Sequence, residues 1–149
     1  MGDLNELYQS IILDHNRRPK NYHALDAPAR HAEGRNPLCG DELTVWLILE
    51  GDVIEDVSFL GRGCAISRAS ASIMTTMVKG KSRAEADALF DRFHTLVTER
   101  STTAGDPGAD RMAVFSGVSR FPVRVKCATL PWHTLRSALE PRPETVSTE

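Results

Sequence analysis

Three cysteines and one aspartate are the residues of this sequence best suited to chemistry. Cys39 and Asp41 stand two positions apart in the stretch Pro37-Leu38-Cys39-Gly40-Asp41, where proline and glycine are typical of a turn. A soft thiolate and a hard carboxylate this close together can face one cation. By themselves these two residues indicate a site only weakly, because a free cysteine is more often a small buried hydrophobe.

The other two cysteines strengthen that interpretation. Cys64 follows a glycine-containing turn and precedes a run of small residues, so a helix is expected to begin there. Cys127 follows the cations Arg124 and Lys126 and is likewise expected to open a helix. A helix N-terminus favours the thiolate form of cysteine. Purely structural cysteines would not be expected to lie at the junction between two elements in all three cases. Three thiolates together with Asp41 make a four-coordinate set suited to Zn2+.

The strands that would position these residues are predicted from alternation of apolar and polar positions. Residues 43–50 and 53–60 alternate in this way and are joined by Gly51-Asp52, which predicts a β-hairpin. Residues 25–36 are poorly patterned, and any strand there is expected at a sheet edge.

Helical spacing of apolar residues predicts amphipathic helices over residues 3–14 and 82–97, in addition to the helix from Cys64 to Gly80. Ser82 and Glu85 are spaced as a capping box at the start of the 82–97 helix. A further short helix is expected near residues 112–121, ending before Pro122. Residues 98–110 are polar and lack periodicity, and we expect them to form an exposed loop.

Composition narrows the class of protein. The chain has 149 residues, 41% hydrophobic and 26% charged, which fits one globular domain. A formal net charge of -2 offers no electrostatic basis for binding nucleic acid. No apolar run approaches the roughly 20 residues of a membrane span, and the acidic start is unlike a signal peptide. The sequence is therefore expected to be cytoplasmic, and its three cysteines to be reduced.

Four stretches in combination resemble one known family. They are Leu7–His15, Asn36–Asp41, Gly61–Ser67 and Arg124–Trp132. From about Leu4 to Leu139 the sequence resembles the U-type iron-sulfur cluster assembly proteins, in particular the SufU-like branch. In the IscU-like branch a histidine ligand precedes the third cysteine, whereas Lys126 stands there in this sequence. Residues 98–110 resemble part of the extra stretch of SufU-like members.

The resemblance implies an α+β fold of the SufE/IscU type, a small antiparallel three-stranded sheet with helices on one face. A single domain would cover residues 1–140, with residues 141–149 as a flexible tail. Zn2+ would be bound by the set defined above, Cys39, Asp41, Cys64 and Cys127.

The same resemblance implies a role in sulfur transfer. A cysteine desulfurase would be the partner, with downstream Fe-S assembly proteins receiving the sulfur. Cys39 is expected to accept the sulfur as a persulfide and Asp41 to release the metal most readily, while Cys64 and Cys127 anchor the ion. Arg124 is expected either to stabilise the thiolate or to contact the desulfurase, or else to be an ordinary exposed cation.

Three alternatives remain open from the sequence. The same residues could hold an Fe-S cluster or iron in a scaffold, since cysteine thiolates are the usual cluster ligands; Lys126 disfavours this because a protonated lysine cannot ligate. A zinc ion could merely stabilise an interaction module. A Cys-His hydrolase would need a histidine near a cysteine, and His133, six positions after Cys127, is poorly spaced for that role.

Overall fold

The computed structural model describes residues 2–26, 29–37, 39–98, 112–115, 118, 121–140 and 146–147. Within these ranges the helices are α1 (Gly2–Arg17), α2 (Ala65–Val78), α3 (Arg83–Thr98) and α4 (Pro122–Leu139), with a 3-10 turn at Ala113–Phe115. The strands are β1 (Arg30–Asn36), β2 (Asp41–Glu50), β3 (Val53–Arg62) and β4 (Val146–Ser147). None of the described helices is long and apolar enough to cross a membrane.

The predicted α+β fold with a three-stranded antiparallel sheet is confirmed. β1 pairs with β2, and β2 with β3, both antiparallel, and the two-residue β4 adds a parallel pairing to β1. Asn36 lies opposite Asp41, and Glu42 lies opposite Arg62. This register brings the end of β1, the start of β2 and the end of β3 together at one end of the sheet.

One face of the sheet forms the core. Along β1 and β2 the buried positions alternate with more exposed ones, as expected for a half-covered sheet. Helices α2 and α4 pack against this face. Its buried residues include Ala32, Leu43, Val45, Leu47, Val57 and Phe59.

The start of α4 differs from the prediction. We expected a new helix to begin at Cys127, which is wrong: α4 begins at Pro122, and Cys127 lies in its second turn. The short helix expected near residues 112–121 is described only at 112–115 and 118, where Ala113–Phe115 form the 3-10 turn. Proline is pre-organised for the first helical position because its fixed φ is helical and its missing N–H has no helical partner there. Pro131 consequently lies inside the helix, where it removes the hydrogen bond that the Cys127 carbonyl would otherwise accept.

Two segments of the prediction fall mainly outside the described residues. The expected loop at 98–110 lies there except for Thr98, the last residue of α3. Of the flexible tail expected at 141–149 only Val146 and Ser147 are described, and they pair with β1. The tail therefore stays a prediction.

The capping box of α3 is present, because Ser82 and Glu85 exchange side-chain to backbone hydrogen bonds of 3.1 Å.

Candidate metal centre

The four predicted ligands come together at the end of the sheet where β1 ends and β2 begins. Cys39 lies in the turn between β1 and β2, and Asp41 is the first residue of β2. Together with Cys127 of α4 these residues offer ligand atoms that all lie within 4.8 Å of one another. Cys64 is the N-cap of α2, and its Sγ is 3.8 Å from Asp41 Oδ2. Cys127 is buried, while Cys39 and Cys64 are half-buried.

Asp41 is a buried carboxylate, only 1% exposed. Its Oδ1 accepts a 2.7 Å hydrogen bond from the backbone N–H of Cys64, which turns Oδ2 toward the cysteine sulfurs. Gly63 makes room for this arrangement, since a Cβ there would overlap Asp41 Oδ1 and lie 2.8 Å from its Cα. Among the described residues Asp41 forms no salt bridge. A buried carboxylate without a cation is costly unless a metal balances its charge.

Asn36, the last residue of β1, also faces these ligands and is completely buried. Its Nδ2 lies 3.4 Å from Asp41 Oδ2 and 3.4 Å from Cys127 Sγ. Its Oδ1 is buried and has no hydrogen-bond partner in the described part of the chain. The side chain therefore presents only its donor group to the ligands.

The thiols of Cys64 and Cys127 have opposite pKa shifts. A hydrogen bond from the Cys127 thiol, helped by the backbone N–H of Ser67 at the start of α2, lowers the pKa of Cys64 to about 7. The pKa of Cys127 is raised, first because its thiol hydrogen-bonds to Cys64, then because of burial and further hydrogen bonds to Asp41 and Cys39. The Cys127 thiol is thus within hydrogen-bonding reach of the three other candidate ligands.

This donor set fits a zinc ion. Zinc takes cysteine sulfur and carboxylate oxygen in a tetrahedral arrangement. A divalent cation would displace the thiol protons and neutralise part of the ligands' negative charge. The expected thiolate-favouring helix start holds for Cys64. It does not hold for Cys127, because that residue lies one turn beyond the start of α4.

The auxiliary and rival residues lie elsewhere. Arg124 is exposed, with its guanidinium 4.8 Å from the centre of the Phe121 ring. Lys126 is half-buried and directly precedes Cys127 in α4. His133 contacts the rings of Phe90 and His94 on α3. No hydrogen bond between His133 and a cysteine occurs within the described residues. The structure therefore does not support the alternative that this protein is a Cys-His hydrolase.

Two residues at the centre were not assigned a role from the sequence. Asn36 stands directly before the proline of the Cys39 turn, and Gly63 directly before Cys64. A signal for Asn36 was available, because it continues the alternation of small inward residues Ala32 and Gly34 with a polar side chain. A polar residue on the core face of a strand indicates a buried hydrogen-bonding role.

Comparison with known proteins gives the family. Residues 7–141 match the NifU-like N terminal domain. The iron-sulfur cluster assembly scaffold protein IscU of Streptococcus pyogenes serotype M1 is 39% identical over 140 residues, covering 94% of this chain and 87% of that protein. The zinc-dependent sulfurtransferase SufU of Bacillus subtilis (strain 168) is 37% identical over 142 residues, covering 93% and 92%.

The fold agrees with these relatives. A crystal structure from Fervidobacterium islandicum AW-1, described as a candidate iron-sulfur cluster assembly scaffold protein for the SUF system, superposes with a TM-score of 0.80 at 34% identity. The superposition covers 87% of this chain and 94% of that one. Because one family spans most of the sequence and its relatives share the fold, this chain belongs to the NifU-like N-terminal domain family, together with the IscU and SufU proteins.

Proposed function

We propose that this protein acts in iron-sulfur cluster assembly as a zinc-dependent sulfur acceptor that receives persulfide sulfur from a cysteine desulfurase. The observation that carries the proposal is the buried carboxylate of Asp41, which lies among three cysteines without a salt bridge to any described residue. The Bacillus subtilis relative named as a zinc-dependent sulfurtransferase supports the same assignment.

Cys39 is the proposed acceptor. It lies in a turn, half-buried, beside the exposed Gly40, so that a partner's persulfide can approach it more easily than it can approach the buried Cys127. The Cys39 thiolate attacks the outer sulfur of the desulfurase persulfide, and the sulfur–sulfur bond of the donor breaks. The donor cysteine leaves as a thiolate, and Cys39 carries the transferred sulfur as its own persulfide.

The remaining ligands have separate roles. Zinc, when bound, keeps the thiols deprotonated at neutral pH. Cys64 and Cys127 anchor the centre from α2 and α4. Asp41 would supply the single oxygen ligand, and the N–H of Cys64 would hold its carboxylate whether or not it is bound to zinc. We therefore expect Asp41 to be the ligand that would be released most readily.

The test begins with the protein purified without added metal. We expect about one zinc per chain by elemental analysis, stimulated turnover of a cysteine desulfurase, and a persulfide located on Cys39 by mass spectrometry. Cys39→Ser should abolish that persulfide. Zinc without stimulation or persulfide would instead indicate an interaction module with a structural ion.

A scaffold for Fe-S cluster assembly is the second candidate, because the relative from Streptococcus pyogenes is named as one. It would use the same cysteines with iron in place of zinc. Lys126 stands beside Cys127 and offers no ligand while protonated, which favours zinc. Iron with acid-labile sulfide in the purified protein would decide for the scaffold.

A further inference from the structure

The buried amide of Asn36 is not explained by the structure of its turn. The turn that carries Cys39 is closed by backbone groups, since the N–H of Cys39 donates a 3.2 Å hydrogen bond to the carbonyl of Asn36. The Asn36 side chain takes no part in that bond. Its carbonyl Oδ1 is left buried and without a partner among the described residues, an arrangement that native proteins usually avoid.

What the side chain supplies is a pair of donors. The two hydrogens of Nδ2 can serve Asp41 Oδ2 and Cys127 Sγ at once, both at 3.4 Å. Sulfur is larger than oxygen, so 3.4 Å is close for the N–H···S contact and long for the N–H···O contact. With the amide turned over, Oδ1 would face a carboxylate and a sulfur, and these negatively charged ligands would repel it.

We propose that Asn36 is a positioning residue of the metal centre, whose amide holds Cys127 as a resident ligand and leaves Cys39 as the reactive sulfur. A hydrogen bond to a thiolate withdraws electron density and lowers its nucleophilicity. Cys127 receives this bond, whereas the sulfur of Cys39 receives none from Asn36. The amide thereby distinguishes two cysteines that bind the same ion. This inference rests on the proposed function for the role of Cys39, but not for the contact with Cys127.

Two variants test the donor. Asn36→Leu keeps roughly the size and removes the donor without adding a charge or an acidic proton, and Asn36→Ala removes the side chain. Both should weaken zinc affinity by roughly 10- to 100-fold, as changes to outer-shell partners of metal ligands do. In the cobalt-substituted protein, the thiolate-to-metal charge-transfer band should move to lower energy. In the zinc-loaded variants, alkylation of Cys127 relative to Cys39, measured by mass spectrometry, should rise.

Ser70→Ala is the matched control. The Ser70 hydroxyl donates a 2.6 Å hydrogen bond to the carbonyl of Ala128, next to Cys127, and is as completely buried as Asn36. Its loss should lower stability and leave the cobalt spectrum and the alkylation ratio unchanged. If Ser70→Ala moved the band as much as the Asn36 variants do, the effect would be structural and the proposal overturned.

A measurement on the wild-type protein covers the case in which the variants do not fold. In protein loaded with cadmium-113, an Asn36 side-chain amide proton should show scalar coupling to the metal through the N–H···S bond. Absence of this coupling would overturn the proposal. A persulfide on Cys39 with an unmoved cobalt band would leave the sulfur-acceptor function standing and reject the role of Asn36. A moved band without any persulfide would do the reverse.

Discussion

Replacing Gly63 by alanine should disrupt the proposed metal centre although no candidate ligand is itself replaced. Gly63 has a φ of +145°, and a Cβ there would overlap Asp41 Oδ1. A non-glycine residue in such a conformation costs about 1–3 kcal/mol. Displacing the carboxylate also loses its 2.7 Å bond from the Cys64 N–H, and a hydrogen bond to a charged group contributes about 1.5–3 kcal/mol. The free energy of unfolding should therefore fall by about 2.5–6 kcal/mol.

Gly80→Ala separates the two causes. Gly80 also has a positive φ, +83°, but a Cβ there would meet nothing within 4 Å. This control should lose only the conformational part, about 1–3 kcal/mol, and should bind zinc normally. Denaturant unfolding of the metal-free proteins gives the stabilities, and competition with a chromophoric chelator gives the zinc affinities. If Gly63→Ala bound zinc as tightly as Gly80→Ala does, the claim that Gly63 makes room for the Asp41 carboxylate would be refuted.

Three further predictions concern single side chains. Asp41→Ala should leave the fold mostly intact, slow sulfur transfer and weaken zinc binding at least about 10-fold, since even outer-shell changes cost that much; unchanged zinc content would remove Asp41 from the ligand set. In metal-free protein, alkylation of Cys64 should be half-maximal near pH 7, and Cys127→Ala should move that midpoint upward, because the Cys127 hydrogen bond is the largest cause of the lowered pKa. Burial lowers the pKa of His133 from its ordinary 6.5, so the unfolded chain binds more protons than the folded chain. The contribution of His133 to the free energy of unfolding therefore falls as pH drops below about 6.5. His133→Gln should lose less stability than wild type between pH 7.5 and 5.5 in denaturant titrations, and an equal loss would contradict the assignment.

Much of the fold followed from local patterns. Alternation along residues 43–50 and 53–60 predicted the hairpin of β2 and β3, and the spacing of Ser82 and Glu85 predicted the start of α3. β1 was difficult to predict because its inward positions are Ala32, Gly34 and Asn36, which give little hydrophobic contrast. Position 34 requires glycine because a Cβ there would overlap the Thr134 hydroxyl of α4. This contact between distant parts of the chain leaves no trace in the alternation of apolar and polar residues.

The start of α4 was misread because proline has two opposite meanings. Pro122 can end one helix or occupy the first position of the next, and nothing within the local sequence distinguishes them. This error also affected the predicted site, because Cys127 lies in the second turn of α4 and not at a helix start. The pKa of Cys127 is raised first by its hydrogen bond to Cys64, then by burial and by hydrogen bonds to Asp41 and Cys39.

Residue types and local turns were enough to predict candidate ligands, because Cys39 and Asp41 share one bend and Cys64 begins a helix. The contacts among these residues could not be predicted in the same way. Asn36 and Cys127 are 91 positions apart, and they meet only because α4 packs on the sheet close to the ends of β1 and β2. Packing over that sequence distance has no local period, so the buried amide and the space left by Gly63 became visible only once the strands and helices were assembled.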